Sequence, residues 1–168
     1  MTMRPRWGIL ATGGIAHAFA RDLLAEGFTV AAVGSRRLES ALSFAAEHGI
    51  PTAHGSYEEL VADPQVDIVY VATPHSHHAD TALLAIEAGK HVLVEKAFTL
   101  TQRQSQRIAG AAEAAGVVAM EAMWTRFLPH MARIREIVAS GAIGEVRTVI
   151  ADHTQSLPQN PEHRLQNP

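Results

Sequence analysis

The sequence contains no cysteine, so disulfide bonds, thiolate metal sites and cysteine nucleophiles are all excluded. No apolar window approaches the roughly 20 residues of a membrane-spanning helix. The N-terminal stretch MTMRPRWGILATGG lacks the apolar core of a signal peptide. The net charge of -3 does not favour nucleic acid or an anionic membrane as a partner. We therefore expect a cytoplasmic protein that binds neither nucleic acid nor membranes.

Several catalytic motifs are also missing. The chain has no G-x-S-x-G nucleophile elbow, no G-x-x-x-x-G-K-[ST] phosphate loop and no H-E-x-x-H zinc helix. Neither Tyr57 nor Tyr70 has a lysine four residues later, which is the spacing that a short-chain dehydrogenase requires. Hydrolase, NTPase and short-chain dehydrogenase functions are therefore disfavoured.

What the chain does have is an alternation of short apolar runs with longer helical patterns. Its 168 residues, 47% of them hydrophobic, suffice for one ordinary domain with little left over. The order of the segments predicts an α/β fold, a Rossmann-type doubly wound parallel sheet with helices on both faces. Strands are predicted at 6–11, 29–34, 67–72, 91–94 and 117–120, with a weaker one near Thr52, and helices at about 14–26, 37–48, 57–62, 77–88 and 102–115.

Helix boundaries are marked by residue type. Ser56 followed by Glu59, and Thr101 followed by Gln104, place a side-chain oxygen and its partner three residues apart, as in a capping box. A further helix is predicted at 129–139, and a further strand at 146–153. Glycines expected at helix C-termini are Gly27, Gly49, Gly89 and Gly116.

The first predicted strand runs into the sequence GILATGGIAHAF. In a dinucleotide-binding unit, glycines at this strand-to-helix turn let the backbone approach a pyrophosphate, and the helix N-terminus offers unpaired N–H groups. Ala11, Gly13 and Ala16 occupy the three positions of the G-x-G-x-x-G/A pattern, so the first glycine is replaced by alanine. A tight turn that needs only small residues is the alternative.

The end of the second predicted strand, VGSRR, indicates which dinucleotide would bind. An NAD site normally has an acidic residue here for the ribose 2′-hydroxyl, whereas this chain has Ser35, Arg36 and Arg37. A hydroxyl and two guanidinium groups suit a 2′-phosphate, so the stretch favours NADP. The missing acid also disfavours a methyltransferase that uses S-adenosylmethionine. The alternative is that Ser35 caps the next helix while the arginines are solvated.

Three histidines follow the predicted strand at 67–72, in the sequence YVATPHSHHAD. Thr73, Pro74 and His75 are expected in a loop at the carboxyl end of a parallel strand, where open α/β sheets bind ligands. Imidazoles there are able to donate to ribose or nicotinamide groups. A metal site that uses two of His75, His77 and His78 is the alternative, but no cysteine or carboxylate set completes it. His77 is expected to be an exposed residue at a helix start.

The stretch VEKAFTL places Glu95 and Lys96 directly after the next predicted strand. Successive side chains of an extended segment point to opposite faces, so these two residues are not expected to pair. If Lys96 faces the crevice, it is able to pass a proton to or from a carbonyl oxygen during hydride transfer. Glu95 is expected to be a structural anchor. The alternative is a strand end that simply reaches solvent.

Four segments in order carry a family resemblance: WGILATGGIA, VGSRR, DIVYVATPHSHHADTALLAIEAGKHVLVEKAFTL and EAMWTRF. They resemble the N-terminal half of the glucose-fructose oxidoreductase / inositol dehydrogenase / MocA family. Within it, EAMWTRFLP is similar to the dihydrodiol dehydrogenase and NADP-dependent D-xylose dehydrogenase branch. The resemblance implies an NADP-dependent dehydrogenase of a sugar, polyol or dihydrodiol, with Lys96 as the catalytic lysine. The family usually has a proline after this lysine, where this chain has Ala97.

The resemblance also implies a cofactor site. Nicotinamide-side contacts are expected from Thr73, His75 and His78, and Trp124 and Arg126 are expected near the cofactor. No metal is predicted. The full predicted cofactor set is Ala11, Thr12, Gly13, Gly14, Ile15, Ser35, Arg36, Arg37, Ala72, Thr73, Pro74, His75, His78, Glu95, Lys96, Trp124 and Arg126.

A domain organisation follows from the same resemblance. Residues 1–122 are predicted to form the dinucleotide-binding domain, and 123–168 a connecting helix and the first strand of an incomplete α+β domain. In family members that second domain supplies the substrate pocket and usually the dimer interface, so any homo-oligomer is expected to form through it. Two functions stay open: an oxidoreductase, and a truncated or sensor-like NADP-binding module that is a poor catalyst alone because the substrate is not held.

Overall fold

A computed structural model describes residues 4–154 of the chain. The strands are β1 (Arg6–Leu10), β2 (Thr29–Gly34), β3 (Thr52–His54), β4 (Ile68–Val71), β5 (His91–Val94) and β6 (Ala119–Glu121). The α-helices are α1 (Gly14–Ala25), α2 (Leu38–His48), α3 (Tyr57–Ala62), α4 (His78–Glu87), α5 (Gln102–Ala115) and α6 (Pro129–Ala139). Short 3-10 turns occupy His75–His77 and Trp124–Phe127.

The strands form one parallel sheet in the order β3-β2-β1-β4-β5-β6. The chain therefore builds outward from β1 in one direction, returns to β4, and builds outward in the other direction. This is the doubly wound order of Rossmann-type domains, in which ligands bind beyond the carboxyl ends of the strands at the β1/β4 switch point. The fold class predicted from the sequence is confirmed.

Helices cover both faces of the sheet, which explains why the strands are almost continuously apolar. One buried cluster joins the sheet to α1 and α2 through residues such as Ala16, Ala20 and Phe44. The other joins it to α3, α4 and α5 through residues such as Leu60 and Ile108. The strand ends that leave this core are therefore held rigidly from both sides.

The helix ends follow the predicted capping residues. The Thr101 hydroxyl accepts a hydrogen bond from the Gln104 backbone N–H, and Gln104 Oε1 accepts one from the Thr101 backbone N–H. Gly116 ends α5 at φ +67°, a conformation that glycine adopts without a Cβ clash. The next N–H, of Val117, donates to the Ala112 carbonyl at 3.0 Å. Because this cap occupies Val117, β6 begins at Ala119 rather than at the predicted residue 117.

The predicted strand at 146–153 was wrong. The described part of this stretch has no regular secondary structure, and Val149 and Ile150 are 81% and 92% exposed. Alternating apolar residues favour an extended backbone, but a strand forms only where a neighbouring strand takes its hydrogen bonds. No segment among residues 4–154 pairs with it.

The chain divides into two compact units, Met1–Trp124 and Thr125–Pro168. The first contains the whole sheet with α1–α5, and the second contains α6. Among the helices of residues 4–154, none combines the length and apolarity needed to cross a membrane.

Candidate functional site

The sequence motifs meet at the carboxyl edge of the sheet. Because β2, β1, β4 and β5 are neighbours in that order, the loops that follow them lie side by side. These loops carry the alanine-glycine turn, the basic corner, the TPH segment and Lys96. The topology thus gathers at one edge residues that are up to about 85 positions apart in the chain.

The turn after β1 begins with a backbone conformation that usually requires glycine. Ala11 has φ +79°, and its N–H donates to the Gly34 carbonyl at 2.9 Å. A side chain in the left-handed region costs about 1–2 kcal/mol relative to a normal φ. Ala11 therefore retains the turn geometry of the glycine that it replaces.

Space is left open in front of the two glycines that follow. A Cβ added to Gly13 or Gly14 would meet no atom within 4 Å. Gly13 is the N-cap of α1 and provides no side-chain cap, so the first N–H groups of the helix face outward without one. Ile15, in the first turn, is 48% exposed. Packing within the chain does not explain these glycines, so the alternative of a turn that only needs small residues is disfavoured.

The loop after β2 is fixed by close packing against α3. A Cβ on Gly34 would lie 2.9 Å from the Leu60 Cβ and 3.1 Å from the Ser56 carbonyl oxygen. Helix α2 begins at Leu38 with Arg37 at its N-cap, and Ser35 instead accepts a 3.4 Å bond from the Arg37 N–H. The capping role considered for Ser35 is therefore not observed.

The two arginines of this corner have different surroundings. Arg36 lies beside Tyr57: burial raises the pKa of the Tyr57 hydroxyl, and the Arg36 guanidinium partly opposes that rise in pKa. Arg37 instead lines a cavity of about 470 Å³ together with Thr12, from the turn after β1. Two separate motifs thus share one cavity, whose size is typical of a small-molecule site. Its lining also includes Glu39, Ser40, Ser43, Phe44, His17 and Glu47.

The TPH segment after β4 is buried where it meets the sheet. The Ala72 N–H donates to the Leu10 carbonyl at 3.0 Å. Thr73 is buried, and its hydroxyl lies 3.2 Å from that of Thr81. Pro74 is exposed and leads into the 3-10 turn that contains His75. The segment therefore presents its proline and the following turn at the surface, on a fixed base.

Two histidines of this segment hold the backbone beside Lys96. His75 Nε2 lies 3.0 Å from the Lys96 carbonyl oxygen, and His78 Nδ1 lies 2.9 Å from the Ala97 carbonyl oxygen. His78 is fully buried, and its Nε2 lies 2.9 Å from the Thr73 carbonyl oxygen. These three imidazole nitrogens therefore hold the backbone of this region.

Glu95 fixes the other side of Lys96. Its Oε1 accepts a 2.6 Å hydrogen bond from the Tyr70 hydroxyl, and its Oε2 accepts a 3.1 Å bond from the Lys96 N–H. Tyr70 is buried and stacks on Phe19 at 3.8 Å; burial, followed by the hydrogen bond to Glu95, strongly raises its pKa, so it remains a donor. Glu95 thus has the anchoring contacts predicted for it.

Glu121 is a residue of this site that the sequence did not single out. It ends β6, and its Oε1 accepts a 2.9 Å hydrogen bond from the Phe98 N–H. The lysine loop, defined here as residues 95–98, is therefore held by four side chains. His75 and His78 come from the segment after β4, Glu121 ends β6, and Glu95 belongs to the loop itself. The only feature of the sequence that could have indicated Glu121 is its position as an acidic residue at the end of a predicted strand.

The side chain of Lys96 takes no part in these restraints, which involve only the backbone of this residue. It is exposed, and the peptide bond between Lys96 and Ala97 is cis. Among residues 4–154, no ion pair involves Lys96 or Arg37. The loop thus combines a fixed backbone with an ammonium group that is available to a ligand.

Trp124 and Arg126 lie in the 3-10 turn after β6. Both are exposed, Trp124 by 63%. Trp124 ends the first compact unit, whereas Arg126 belongs to the second. Their predicted approach to the cofactor stays a prediction.

This geometry defines a class of protein. A doubly wound parallel sheet with an open glycine turn, a basic corner and a lysine at adjacent strand ends is a dinucleotide-binding Rossmann domain. The chain belongs to the GFO/IDH/MocA oxidoreductase family, whose NAD-binding Rossmann-fold domain matches residues 5–123. The family inferred from the sequence is confirmed.

Relatives of known function agree with the predicted branch. The chain is 45% identical to a D-xylose 1-dehydrogenase (NADP(+)) of Hypocrea jecorina, over 97% of this chain and 47% of that protein. It is 44% identical to a trans-1,2-dihydrobenzene-1,2-diol dehydrogenase of Danio rerio, over 92% of this chain and 47% of that protein. The chain thus spans about half the length of the relatives it matches.

Solved structures have the same fold. An NAD binding oxidoreductase from Klebsiella pneumoniae matches with a TM-score of 0.79 and 33% identity, over 84% of this chain and 40% of that one. KijD10, a 3-ketoreductase from Actinomadura kijaniata in complex with NADP, matches with a TM-score of 0.78 and 33% identity, over 86% of this chain and 47% of that one.

Proposed function

We propose that the chain binds NADP(H) along the carboxyl edge of its sheet and that Lys96 relays a proton during hydride transfer. The substrate would be an alcohol or carbonyl of a sugar, polyol or dihydrodiol. This proposal joins the family membership and the names of the relatives to the contacts around the glycine turn, the basic corner and the lysine loop.

The residues present fit a dinucleotide phosphate. The space in front of Gly13 and Gly14 would accept the pyrophosphate, and the first N–H groups of α1 would donate to it. Thr12 and Ile15 belong to the same turn. Ala11 would set the path of the backbone there through its left-handed conformation.

The basic corner would select NADP over NAD. The 2′-phosphate would lie at the cavity that Arg37 and Thr12 line. Ser35 and Arg36, which precede Arg37 in the chain, would contribute a hydroxyl and a second guanidinium. Charge-assisted hydrogen bonds from arginine to phosphate contribute about 1.5–3 kcal/mol each. No acid follows Gly34 directly, so the ribose-binding carboxylate of NAD sites is missing at this corner.

The nicotinamide side would be formed by the TPH segment and the lysine loop. NADP supplies a carbon that accepts or donates hydride, and Lys96 would exchange a proton with the substrate oxygen. We assign nicotinamide-side contacts to four residues after β4: Ala72, Thr73, Pro74 and His75. We also assign cofactor contacts to Trp124 and Arg126, from the 3-10 turn after β6. For His78 and Glu95 we propose a positioning role, because their polar atoms already hold the backbone near Lys96.

One observation carries the assignment of Lys96. The backbone on both sides of this residue is held by side chains, while its own side chain is exposed and unpaired within residues 4–154. Such rigid support is expected for a group that must meet a reacting atom within a few tenths of an ångström. A lysine that only solvates a strand end does not need it.

The cofactor assignment is tested by titrating NADPH and NADH while following nucleotide fluorescence. We expect the chain to prefer NADPH, and Arg37→Ala to weaken NADPH binding about 10- to 100-fold with little change for NADH. Arg107→Ala, which removes an exposed arginine from α5, is the matched control. A preference for NADH, or equal losses in the two variants, would contradict the assignment.

The lysine assignment is tested by NADP+ reduction with a panel of aldoses, polyols and dihydrodiols. Lys96→Met should lower turnover about 10²- to 10⁴-fold while NADPH affinity stays within a factor of about three. Lys96→Arg keeps the positive charge but is a poor proton donor and acceptor, so it should also be slow. Normal turnover in either variant would show that Lys96 does not relay the proton.

A second candidate function is NADP binding without turnover by this chain alone. It is favoured by the exposure of Lys96, because hydride transfer requires the substrate carbon to be held against the nicotinamide. Nucleotide binding with no reduction of NADP+ by any substrate of the panel would support this candidate over the enzyme.

A further inference from the structure

A cluster of three possible metal ligands lies beside the cavity that Arg37 and Thr12 line. His17 projects from α1, and Glu47 and His48 are the last two residues of α2. His17 Nδ1 lies 2.8 Å from His48 Nε2 and 3.3 Å from Glu47 Oε1. His48 Nε2 and Glu47 Oε1 are 3.6 Å apart. Two imidazoles and a carboxylate are brought together from positions 31 residues apart.

The spacing of these atoms resembles that of a tetrahedral metal shell. Zinc bonds to imidazole and carboxylate are about 2.0–2.2 Å long, so the ligand atoms of a tetrahedral site are about 3.3–3.6 Å apart. Two of the three observed distances are within about 0.2 Å of that range, and only the His17–His48 distance must lengthen, by about 0.5 Å. Glu47 is 59% exposed and His17 30%, so both side chains have room to adjust.

The rings are already oriented by packing. Phe44 is buried, and its ring lies 4.4 Å from the His17 ring and 4.6 Å from the His48 ring, measured between centroids. The His48 side chain is only 5% exposed. A cation would therefore bind to a His48 nitrogen whose position is largely fixed, which lowers the entropy cost of assembling the site.

The local charge also favours a cation. The backbone carbonyls at the C-terminus of α2 carry a partial negative charge, and Glu47 adds a carboxylate in the last turn, where it is unfavourable without a positive partner. The two close imidazole nitrogens share one hydrogen, which a metal ion would replace. His17 and Glu47 also line the cavity of about 470 Å³, so a fourth ligand position would open into it.

We propose that His17, Glu47 and His48 form a binding site for one divalent transition-metal ion of the zinc type. Two nitrogen ligands and one carboxylate oxygen with an open fourth position suit Zn²⁺ and Co²⁺ and do not suit Mg²⁺, which prefers six oxygen ligands. This inference does not depend on the nucleotide proposed above.

The test is a titration of the untagged 168-residue chain with Co²⁺, followed by its visible absorption. A four-coordinate site should give one intense band set at one equivalent, which Zn²⁺ should abolish and a tenfold excess of Mg²⁺ should not change. His17→Gln and Glu47→Gln should each weaken Co²⁺ binding at least about tenfold. Circular dichroism establishes that each variant is folded, and Glu47→Gln changes a mostly exposed side chain, so it keeps the test valid if His17→Gln is unstable.

The matched control is His130→Gln, because His130 is an exposed histidine of α6 that is not part of the cluster. It should bind Co²⁺ as the unchanged chain does. No absorption band at millimolar Co²⁺, or equal affinities for the unchanged chain and folded Glu47→Gln and His17→Gln variants, would overturn the proposal and leave a hydrogen-bonded histidine pair. A loss as large in His130→Gln would also overturn it, because binding would then be nonspecific.

Discussion

At the amino end of the sheet, the cations are bound by partners within the chain, whereas at the carboxyl end they face solvent. Arg6, which begins β1, forms an ion pair with Asp67 at 2.8 Å and donates to the same carboxylate through its Nε and backbone N–H. Lys90, just before β5, donates to the Asp63 and Val66 carbonyls at 2.9 and 2.7 Å.

The hydrogen bonds at the carboxyl end of the sheet are distributed differently. There the backbone of the lysine loop receives the hydrogen bonds, while the charged groups of Lys96 and Arg37 are unpaired within residues 4–154. Paired charges at one end contribute to stability, and unpaired charges on a fixed backbone at the other end are available to bind an anion or exchange a proton. The difference therefore separates residues whose loss should affect folding from residues whose loss should affect binding.

The largest expected effect is on the packing beneath the basic corner. Gly34→Ala should lower the free energy of unfolding by about 1–3 kcal/mol, because the new Cβ would overlap Leu60 and approach the Ser56 carbonyl. Urea unfolding followed by circular dichroism measures this change. A loss below about 0.5 kcal/mol would mean that α3 moves away easily and that the corner is not rigid.

The next effect concerns the anchor of the lysine loop. Tyr70→Phe should destabilise the fold by about 1–2 kcal/mol, because Glu95 loses a partly buried 2.6 Å hydrogen bond. It should also lower turnover more than NADPH affinity if the loop positions Lys96. Tyr57→Phe removes a hydroxyl that lies beside the exposed Arg36; it is the control for stability only and should cost less. Equal effects would show that the Glu95 bond has no special role.

Gly14→Ala separates folding from binding most directly. At the first position of α1, alanine should raise the free energy of unfolding by about 0.5–1 kcal/mol, since its Cβ meets no atom within 4 Å. The same Cβ should weaken NADPH binding, because it occupies the space proposed for the pyrophosphate. Unfolding and fluorescence titrations on one preparation measure both. A variant that binds NADPH normally would place the phosphates elsewhere.

The smallest expected effect is at the amino end. The hydrogen bond from Arg6 lowers the pKa of Asp67 to about 2, whereas an unfolded aspartate has a pKa of about 3.9. The ion pair therefore stabilises the fold above about pH 4, and this contribution is lost as the pH falls through about 2. The gain is small because both side chains are more than a third exposed.

Thermal unfolding of Asp67→Asn against the unchanged chain between pH 2 and pH 7 tests this point. The difference in melting temperature should be present at pH 5–7 and disappear toward pH 2, and NADPH affinity at pH 7 should be unchanged. A difference that grows in acid would contradict the assigned direction of the pKa shift.

Much of the first compact unit was predictable because local signals agreed with the global fold. Apolar runs marked the strands, and glycines such as Gly116 marked helix ends, where a positive φ excludes most other residues. The strand at 146–153 was mispredicted for a physical reason: an extended segment depends on a partner strand, which is not a property of its own residues.

The candidate site was predictable in its residue types and less so in their contacts. The position of Lys96 at a strand end follows from the pattern, but the contacts of His75 and His78 with its loop connect positions about 20 residues apart. Glu121 was missed for the same reason. The cluster of His17 and His48 depends on how α1 packs on α2, which no local pattern encodes.

The contacts of the lysine loop have a consequence for protein engineering. Because two histidines after β4 fix the carbonyls of Lys96 and Ala97, the orientation of the lysine depends on a segment about 20 residues away as well as on its neighbour Glu95. Grafting residues 95–98 onto another Rossmann scaffold would transfer the amine without its orientation. Residues 73–78 would have to be transferred together with residues 95–98, because the two segments form one structural unit.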